Sequence, residues 1–254
     1  MPGFDITSTS NPRLKRLVGL RERKQRDEEG VFLVEGPRLV GRATAAGLRP
    51  TEVFVDGSVP YDGPGSRVTV EPGALARASY RRRSQGIIAV FPQFPNDLAL
   101  IEATEPALVI VTEAIEKPGN LGAILRTADA VGADAVIVIG EGVDPFNPNV
   151  VRASLGALFT VPLALAPLHA LAPWMDERGI RLIAASPQGE TSLWDVDLTG
   201  SVAIAVGSED DGLTTDALAI AAESASIPMQ GRADSLNASV SLALFAYEAL
   251  RQRR

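Results

Sequence analysis

The second half of the chain carries runs of apolar residues at Ala107-Leu-Val-Ile-Val111, Ala135-Val-Ile-Val-Ile139, Arg181-Leu-Ile-Ala-Ala185 and Val202-Ala-Ile-Ala-Val206, with a weaker one around Ala225–Ile227. They are apolar at consecutive positions rather than at every second one, so both faces of such strands must be covered. Helical patterns separate them at about 120–131, 148–158, 168–179, 213–222 and 237–252. Strands of this kind alternating with helices imply an α/β fold, with a parallel sheet covered on each side.

The first third reads as a smaller α/β module. Asn11-Pro12 offers a cap and a proline for a first helical turn, and Leu14, Leu17, Val18 and Leu20 follow at helical spacing, which predicts one helix ended by Gly30. Val31-Phe-Leu-Val34 is a short buried strand, and Glu35-Gly-Pro-Arg-Leu-Val40 opens a helix running to about Gly47. Further strands are expected at Glu52–Val55, Arg67–Val70 and Gly86–Val90. Two prolines in Phe91-Pro-Gln-Phe-Pro-Asn-Asp97 suggest a linker, dividing the chain into domains at 1–96 and 97–254.

Composition narrows the chemistry. With no cysteine there is no disulfide, thiolate metal site or cysteine nucleophile, and a single histidine, His169, cannot build an imidazole metal cluster; no metal is expected. The opening Met-Pro-Gly-Phe-Asp lacks a basic segment followed by an apolar core, and no apolar run approaches the ~20 residues that span a bilayer, so no membrane partner and a cytoplasmic location are expected. The formal net charge of -7 argues against a nucleic-acid partner until its distribution is considered. Residues 1–98 hold 15 basic and 11 acidic side chains, whereas residues 99–254 hold 9 and 20. Positive charge is densest at Arg13, Lys15, Arg16, Arg21, Arg23, Lys24 and Arg26, opposed within that run only by Glu22, and recurs at Arg81-Arg82-Arg83 beside Tyr80. With few aromatics, recognition of a nucleic acid is expected to rest on phosphates and shape more than on stacking.

Three polar breaks in the second half follow strands: Asn120-Leu-Gly-Ala-Ile-Leu-Arg126, Gly207-Ser-Glu209-Asp-Asp-Gly212-Leu213, and Ile227-Pro-Met229 leading into Ser235-Leu-Asn237-Ala-Ser239. Ligands of parallel sheets gather where strands end and helices begin, because backbone donors converge there. Taken singly, each break has an ordinary explanation. Asn120 caps a helix, Arg126 is a solvated helix residue, Gly207 and Gly212 are turn glycines, and Glu209 is a carboxylate favoured at a helix start.

Together, in this order, the breaks resemble the three motifs of the SpoU (TrmH) branch of the SPOUT methyltransferases, which methylate ribose in RNA with S-adenosylmethionine. The resemblance implies a C-terminal SPOUT domain with a deep trefoil knot, a homodimer held by the last helix, and an N-terminal RNA-binding domain that resembles a ribosomal protein. It carries catalytic roles to Asn120, Arg126, Glu209, Ser235 and Asn237. Cofactor binding falls to Gly207, Ser208, Glu209, Gly212, Ile227, Met229, Leu236, Asn237 and Ser239. The segment from Arg152 to Pro162 resembles a further element of the family, and with it Arg13, Lys15, Arg16, Arg23, Lys24, Arg38, Arg82 and Arg152 form the expected RNA-binding set. Lys117 stands where many members have Asp, which leaves Asn120 and Arg126 in place.

The RNA implied is ribosomal, most directly 23S, with transfer RNA as the alternative. A catalytically silent RNA-binding protein on the same fold is opposed by the complete motif set. A nicotinamide-dependent oxidoreductase is opposed by the lack of Gly-x-Gly-x-x-Gly after a first strand.

Overall fold

A computed structural model describes residues 3–80 and 83–254. These residues fall into two compact units, one within Met1–Phe94 plus Asp144–Phe159, the other Pro95–Val143 plus Thr160–Arg254.

In the first unit the helix expected up to Gly30 is broken into α1 (Pro12–Gly19) and α2 (Arg23–Glu29). Asn11 caps α1, its side chain accepting from the Arg13 amide at 2.9 Å. Leu14, Leu17 and Leu20 are buried, and the bend after Gly19 turns Arg26 inward until only 1% of it is exposed. The Gln25 side chain lies against Gly19 at the bend, its oxygen 1.9 Å from where a Cβ would stand. Gly30, at φ 62°, then closes α2 in the left-handed region where glycine carries no penalty.

The chain continues through β1 (Val31–Glu35), α3 (Pro37–Ala45), β2 (Glu52–Val55), β3 (Ser66–Thr69), α4 (Pro72–Ala78) and β4 (Ile87–Pro92). The sheet order is β1-β4-β2-β3, antiparallel except for the β2–β3 pair. Phe91 and Pro92, at the start of the expected linker, are therefore strand. Phe91 is fully buried and its ring stacks on Phe32 at 5.8 Å.

The second unit opens with a single 3-10 turn at Leu98–Leu100, then β5 (Leu108–Glu113), α5 (Pro118–Val131) and β6 (Ala135–Ile139). Asp144–Phe159, containing α6 (Pro148–Ala153), belongs to the first unit. Asp144 pairs there with Arg26 at 2.6 Å, and the Phe146 and Phe159 rings join the cluster around Phe32 at 5.2 and 6.2 Å. The chain then supplies β7 (Leu163–Ala166), α7 (Leu168–Asp176), β8 (Arg181–Ala185), β9 (Thr191–Ser192), β10 (Val202–Val206), α8 (Thr215–Ala219), β11 (Glu223–Ser226) and α9 (Ala238–Gln252).

All seven strands of this sheet pair in parallel, in the order β7-β6-β5-β10-β8-β11-β9. Val109, Val111, Ile137 and Ala203 lie on one face and Ile110, Val136 and Ile204 on the other, all without solvent exposure. That two-sided burial is what the unbroken apolar runs demand. From β5 the chain steps outward through β6 to β7, then returns to place β10 on the other side of β5. Such a reversal opens a crevice beyond the carboxyl ends of the two central strands.

Candidate active site at the carboxyl ends of the parallel strands

The first polar break follows β5. Lys117 is the residue that caps α5 and Pro118 its first member, so Asn120 lies inside the first turn instead of capping it. Its side chain is thereby free for another partner. Nδ2 of Asn120 donates to Oε1 of Glu209. Arg126, almost two turns further along α5, is exposed and makes no hydrogen bond or ion pair with a described residue.

The second break follows β10 and folds back on itself. Ser208 and Gly212 exchange backbone hydrogen bonds of 3.0 and 3.2 Å, and the Ser208 hydroxyl accepts from the Asp211 amide at 3.0 Å. Glycine is required at both ends of this small ring: a Cβ on Gly207 would meet the Gly212 carbonyl group at 2.0 Å, and Gly212 has φ 71°. Glu209 therefore sits on a short closed loop with little freedom, held toward Asn120.

The third break ends at α9, which Asn237 caps. Oδ1 of Asn237 accepts from the Ser239 amide at 3.0 Å and from its hydroxyl at 2.7 Å, while Nδ2 donates to Oδ1 of Asn120 at 3.2 Å. Asn237, Asn120 and Glu209 thus form one hydrogen-bonded chain drawn from all three motifs.

Beside this chain lies a cleft of about 260 Å³, close to the ~300 Å³ at which pockets begin to hold drug-sized ligands. Gly207, Ser208, Glu209, Gly212, Ile227, Met229, Ser235 and Leu236 line it; Asn120, Arg126, Asn237 and Ser239 do not. Four carboxylates, Glu209, Asp210, Asp211 and Asp234, stand against no basic side chain in the lining, and Phe245 and Val206 add apolar wall. An anionic, half-apolar cleft suits a ligand with an organic body and cationic centres. The S-adenosylmethionine expected from sequence, with its ammonium and sulfonium, is of that kind.

Two contributors escaped the sequence reading. Ser186, Pro187 and Gln188, on the turn after β8, also line the cleft; Ser-Pro directly after an apolar strand is a turn signal of the sort used for the other loops. Glu113, buried at the end of β5, accepts from the Thr214 amide and hydroxyl at 2.7 Å each, tying the start of α8 to the first motif. A carboxylate at the end of an apolar run gives no local sign of so distant a partner.

The expected RNA-binding cations lie in the first unit, and their surroundings differ. Arg13 and Arg16 both pair with Glu52, Arg16 also with Glu29 at 2.6 Å. Arg23 and Lys24 make looser pairs with Asp27 and Glu28 at 3.4 and 3.8 Å. Lys15, Arg38 and Arg152 are exposed and pair with no described residue. Arg82 lies outside the described residues. Among the described residues no helix is long and apolar enough to cross a membrane, and no cluster of metal-binding side chains occurs.

Comparison with known proteins accounts for both parts of the chain. Residues 107–247 match the SpoU rRNA Methylase family and residues 11–89 match the MRM3-like substrate binding domain. A 23S rRNA (uridine(2479)-2′-O)-methyltransferase of Streptomyces viridochromogenes is 30% identical over 92% of this chain and 87% of its own length. An AdoMet-bound rRNA methyltransferase from Sinorhizobium meliloti superposes with a TM-score of 0.89 at 30% identity, covering 97% of both chains. An RNA 2′-O ribose methyltransferase superposes with a TM-score of 0.85 at 42% identity, covering 98% of both. With the three motifs meeting beside one cleft and more than half of its length matched, the chain belongs to the SpoU rRNA methylase family.

Proposed function

We propose that this protein transfers a methyl group from S-adenosylmethionine to a ribose 2′-hydroxyl in 23S ribosomal RNA, with residues 1–96 binding the RNA and residues 97–254 forming the methyltransferase domain. The observation that carries the reading is the Glu209–Asn120–Asn237 chain beside the cleft, which joins all three motifs. Gly207, Ser208, Glu209, Gly212, Ile227, Met229 and Leu236 would hold the cofactor, with Asn237 and Ser239 at the head of α9 completing its surroundings. When bound, S-adenosylmethionine supplies a methyl carbon already activated by positive sulfur.

The work left to the protein is mainly alignment. A guanidinium is a poor base, so the role of Arg126 is to stabilise negative charge developing on the 2′-oxygen rather than to remove the proton. Asn120, Glu209, Ser235 and Asn237 set the geometry in which that charge forms. The exposed Val240, Leu244 and Tyr247 of α9 support a homodimer built on this helix, and the third motif is the segment proposed to thread the trefoil knot. The reaction is placed in the cytoplasm.

Mapping of ribose methylation in RNA from cells with and without the protein tests the reading. Loss of one 2′-O-methyl mark from 23S RNA is expected. A mark lost from transfer RNA instead would reassign the substrate, and no lost mark would leave a silent RNA-binding protein.

A further inference from the structure

The aromatic rings of the first unit are mostly interior: Phe32, Phe91, Phe94, Phe146 and Phe159 pack on one another with centroids 5.0–6.2 Å apart. Tyr80 is different. It is 38% exposed, yet it is held from three directions. Its amide donates to Oε2 of Glu35 at 3.0 Å, its hydroxyl accepts from Nδ2 of Asn149 at 2.7 Å, and the Arg21 guanidinium lies 5.7 Å from its ring centroid. Arg21 is itself fixed, because its Nη2 donates to the carbonyls of Ala78 and Ser79 at 3.0 and 2.7 Å at the C-terminal end of α4. Glu35, which accepts from the Tyr80 amide, also takes the Ser79 hydroxyl. Arg77 and Arg83, three residues to either side, are exposed, and neither makes an ion pair with a described residue. Arg152, likewise exposed, lines the same small hollow as Tyr80.

An exposed aromatic side chain normally samples several rotamers, and ordering it on binding costs free energy. Here three anchors have met that cost before any ligand arrives. A fixed ring beside a cation that pairs with no described residue, with further exposed cations three residues to either side in the chain, matches the arrangement by which proteins hold unpaired nucleotides, with bases stacked on the ring and phosphates on the cations. We propose that Tyr80 is a stacking platform for an unpaired base of the RNA substrate, with Arg77, Arg83 and Arg152 taking the neighbouring phosphates. This rests on the RNA-modifying reading above and places stacking beside phosphate contact in that recognition.

The test uses the full chain and two fluorescein-labelled RNAs: a hairpin with a loop of eight uridines, and a blunt duplex containing the same stem. Tyr80→Ala should weaken hairpin binding about 5-fold or more while leaving duplex binding unchanged. Tyr80→Trp should keep hairpin affinity, and its indole fluorescence should be quenched by the hairpin. Unchanged hairpin affinity in Tyr80→Ala overturns the proposal. So does a loss for both RNAs that Tyr80→Phe reproduces, since that result makes the hydroxyl's tie to Asn149 the only role of the residue. Wild-type chain that shows the expected discrimination but leaves deproteinised 23S RNA unmethylated overturns the methyl-transfer reading and leaves the platform standing; wild-type chain that methylates 23S RNA but binds neither probe overturns the platform alone.

Discussion

Asn120 donates from Nδ2 to a carboxylate oxygen of Glu209, 89 residues further along the chain. With Nδ2 committed to Glu209, the side-chain amide of Asn120 turns Oδ1 to Nδ2 of Asn237. Asn237 in turn keeps Oδ1 for Ser239. Each side-chain amide in the series thus has both of its ends committed. Asn120→Ala should lower methyl transfer about 100-fold, the usual scale for lost alignment. Asn120→Asp should be at least as poor, since it sets two carboxylates together. Initial rates of tritium transfer to 23S RNA measure both, and wild-type rates in Asn120→Ala would detach the series from the chemistry.

Arg126 is exposed and pairs with no described residue, so its removal should change stability by no more than about 0.5 kcal/mol. Arg126→Ala is expected to cut methyl transfer by about 100-fold or more, as for other groups that stabilise developing negative charge. Calorimetric titration with S-adenosylmethionine should give an affinity close to wild type. An enzyme of normal rate would remove Arg126 from the mechanism.

Gly207→Ala should damage cofactor binding. The added methyl would meet the Gly212 carbonyl group at 2.0 Å, so the loop carrying Glu209 must open. Overpacking of this kind costs about 1–3 kcal/mol. Thermal unfolding and S-adenosylmethionine titration on the same sample would show a lower midpoint together with weaker binding; unchanged affinity would mean the loop can yield without disturbing the cleft.

Arg26 and Asp144 form a buried pair, 1% and 7% exposed. Asp144→Ala leaves an unpaired guanidinium inside and should destabilise the protein by about 3–5 kcal/mol. Replacing both partners, as Arg26→Met with Asp144→Leu, removes the two desolvated charges together and should recover much of that loss. Denaturant titrations of the two variants check the ordering. A double variant less stable than Asp144→Ala would show that the pair's other hydrogen bonds, to the Leu20 and Arg21 carbonyls and the Phe146 amide, matter more than its charge.

Glu248, on α9, has its carboxyl held below the ordinary glutamate range, first by the hydrogen bond from Arg251, against the opposing effect of burial. A lowered folded value means that the stabilisation is complete above the unfolded value, about 4.3, and is lost as pH falls through the folded one. Glu248→Gln should therefore flatten the acid side of the stability curve below pH ~5. Unfolding midpoints between about pH 3 and 7 test this, and parallel curves for the two proteins would refute it.

The sequence was most legible where interactions are local or one-dimensional. Ala135–Ile139, Arg181–Ala185 and Val202–Val206 are strands at the bounds read from their apolar runs, because a strand buried on both faces leaves an unbroken record in the chain. β7, written Leu-Ala-Leu-Ala, and the two-residue β9 left too weak a record. The bend after Gly19 also went unread: Arg26, which it turns inward, pairs with Asp144, 118 residues away.

For the site, residue types and their order marked three loops and the family, since strand-end glycines, an Asn before an apolar helix and a capped last helix are each written within a few residues. Only the tertiary structure decided that Asn120 faces Glu209 rather than capping its own helix, that Asn237 donates to Asn120 beside the cleft, and that Asp144–Phe159 packs with the first unit. The physical reason is the same in each case: a side chain able to donate or accept in several directions takes the partner that the fold brings within about 3 Å, and partners about a hundred residues apart leave no mark on each other's neighbourhood in the sequence.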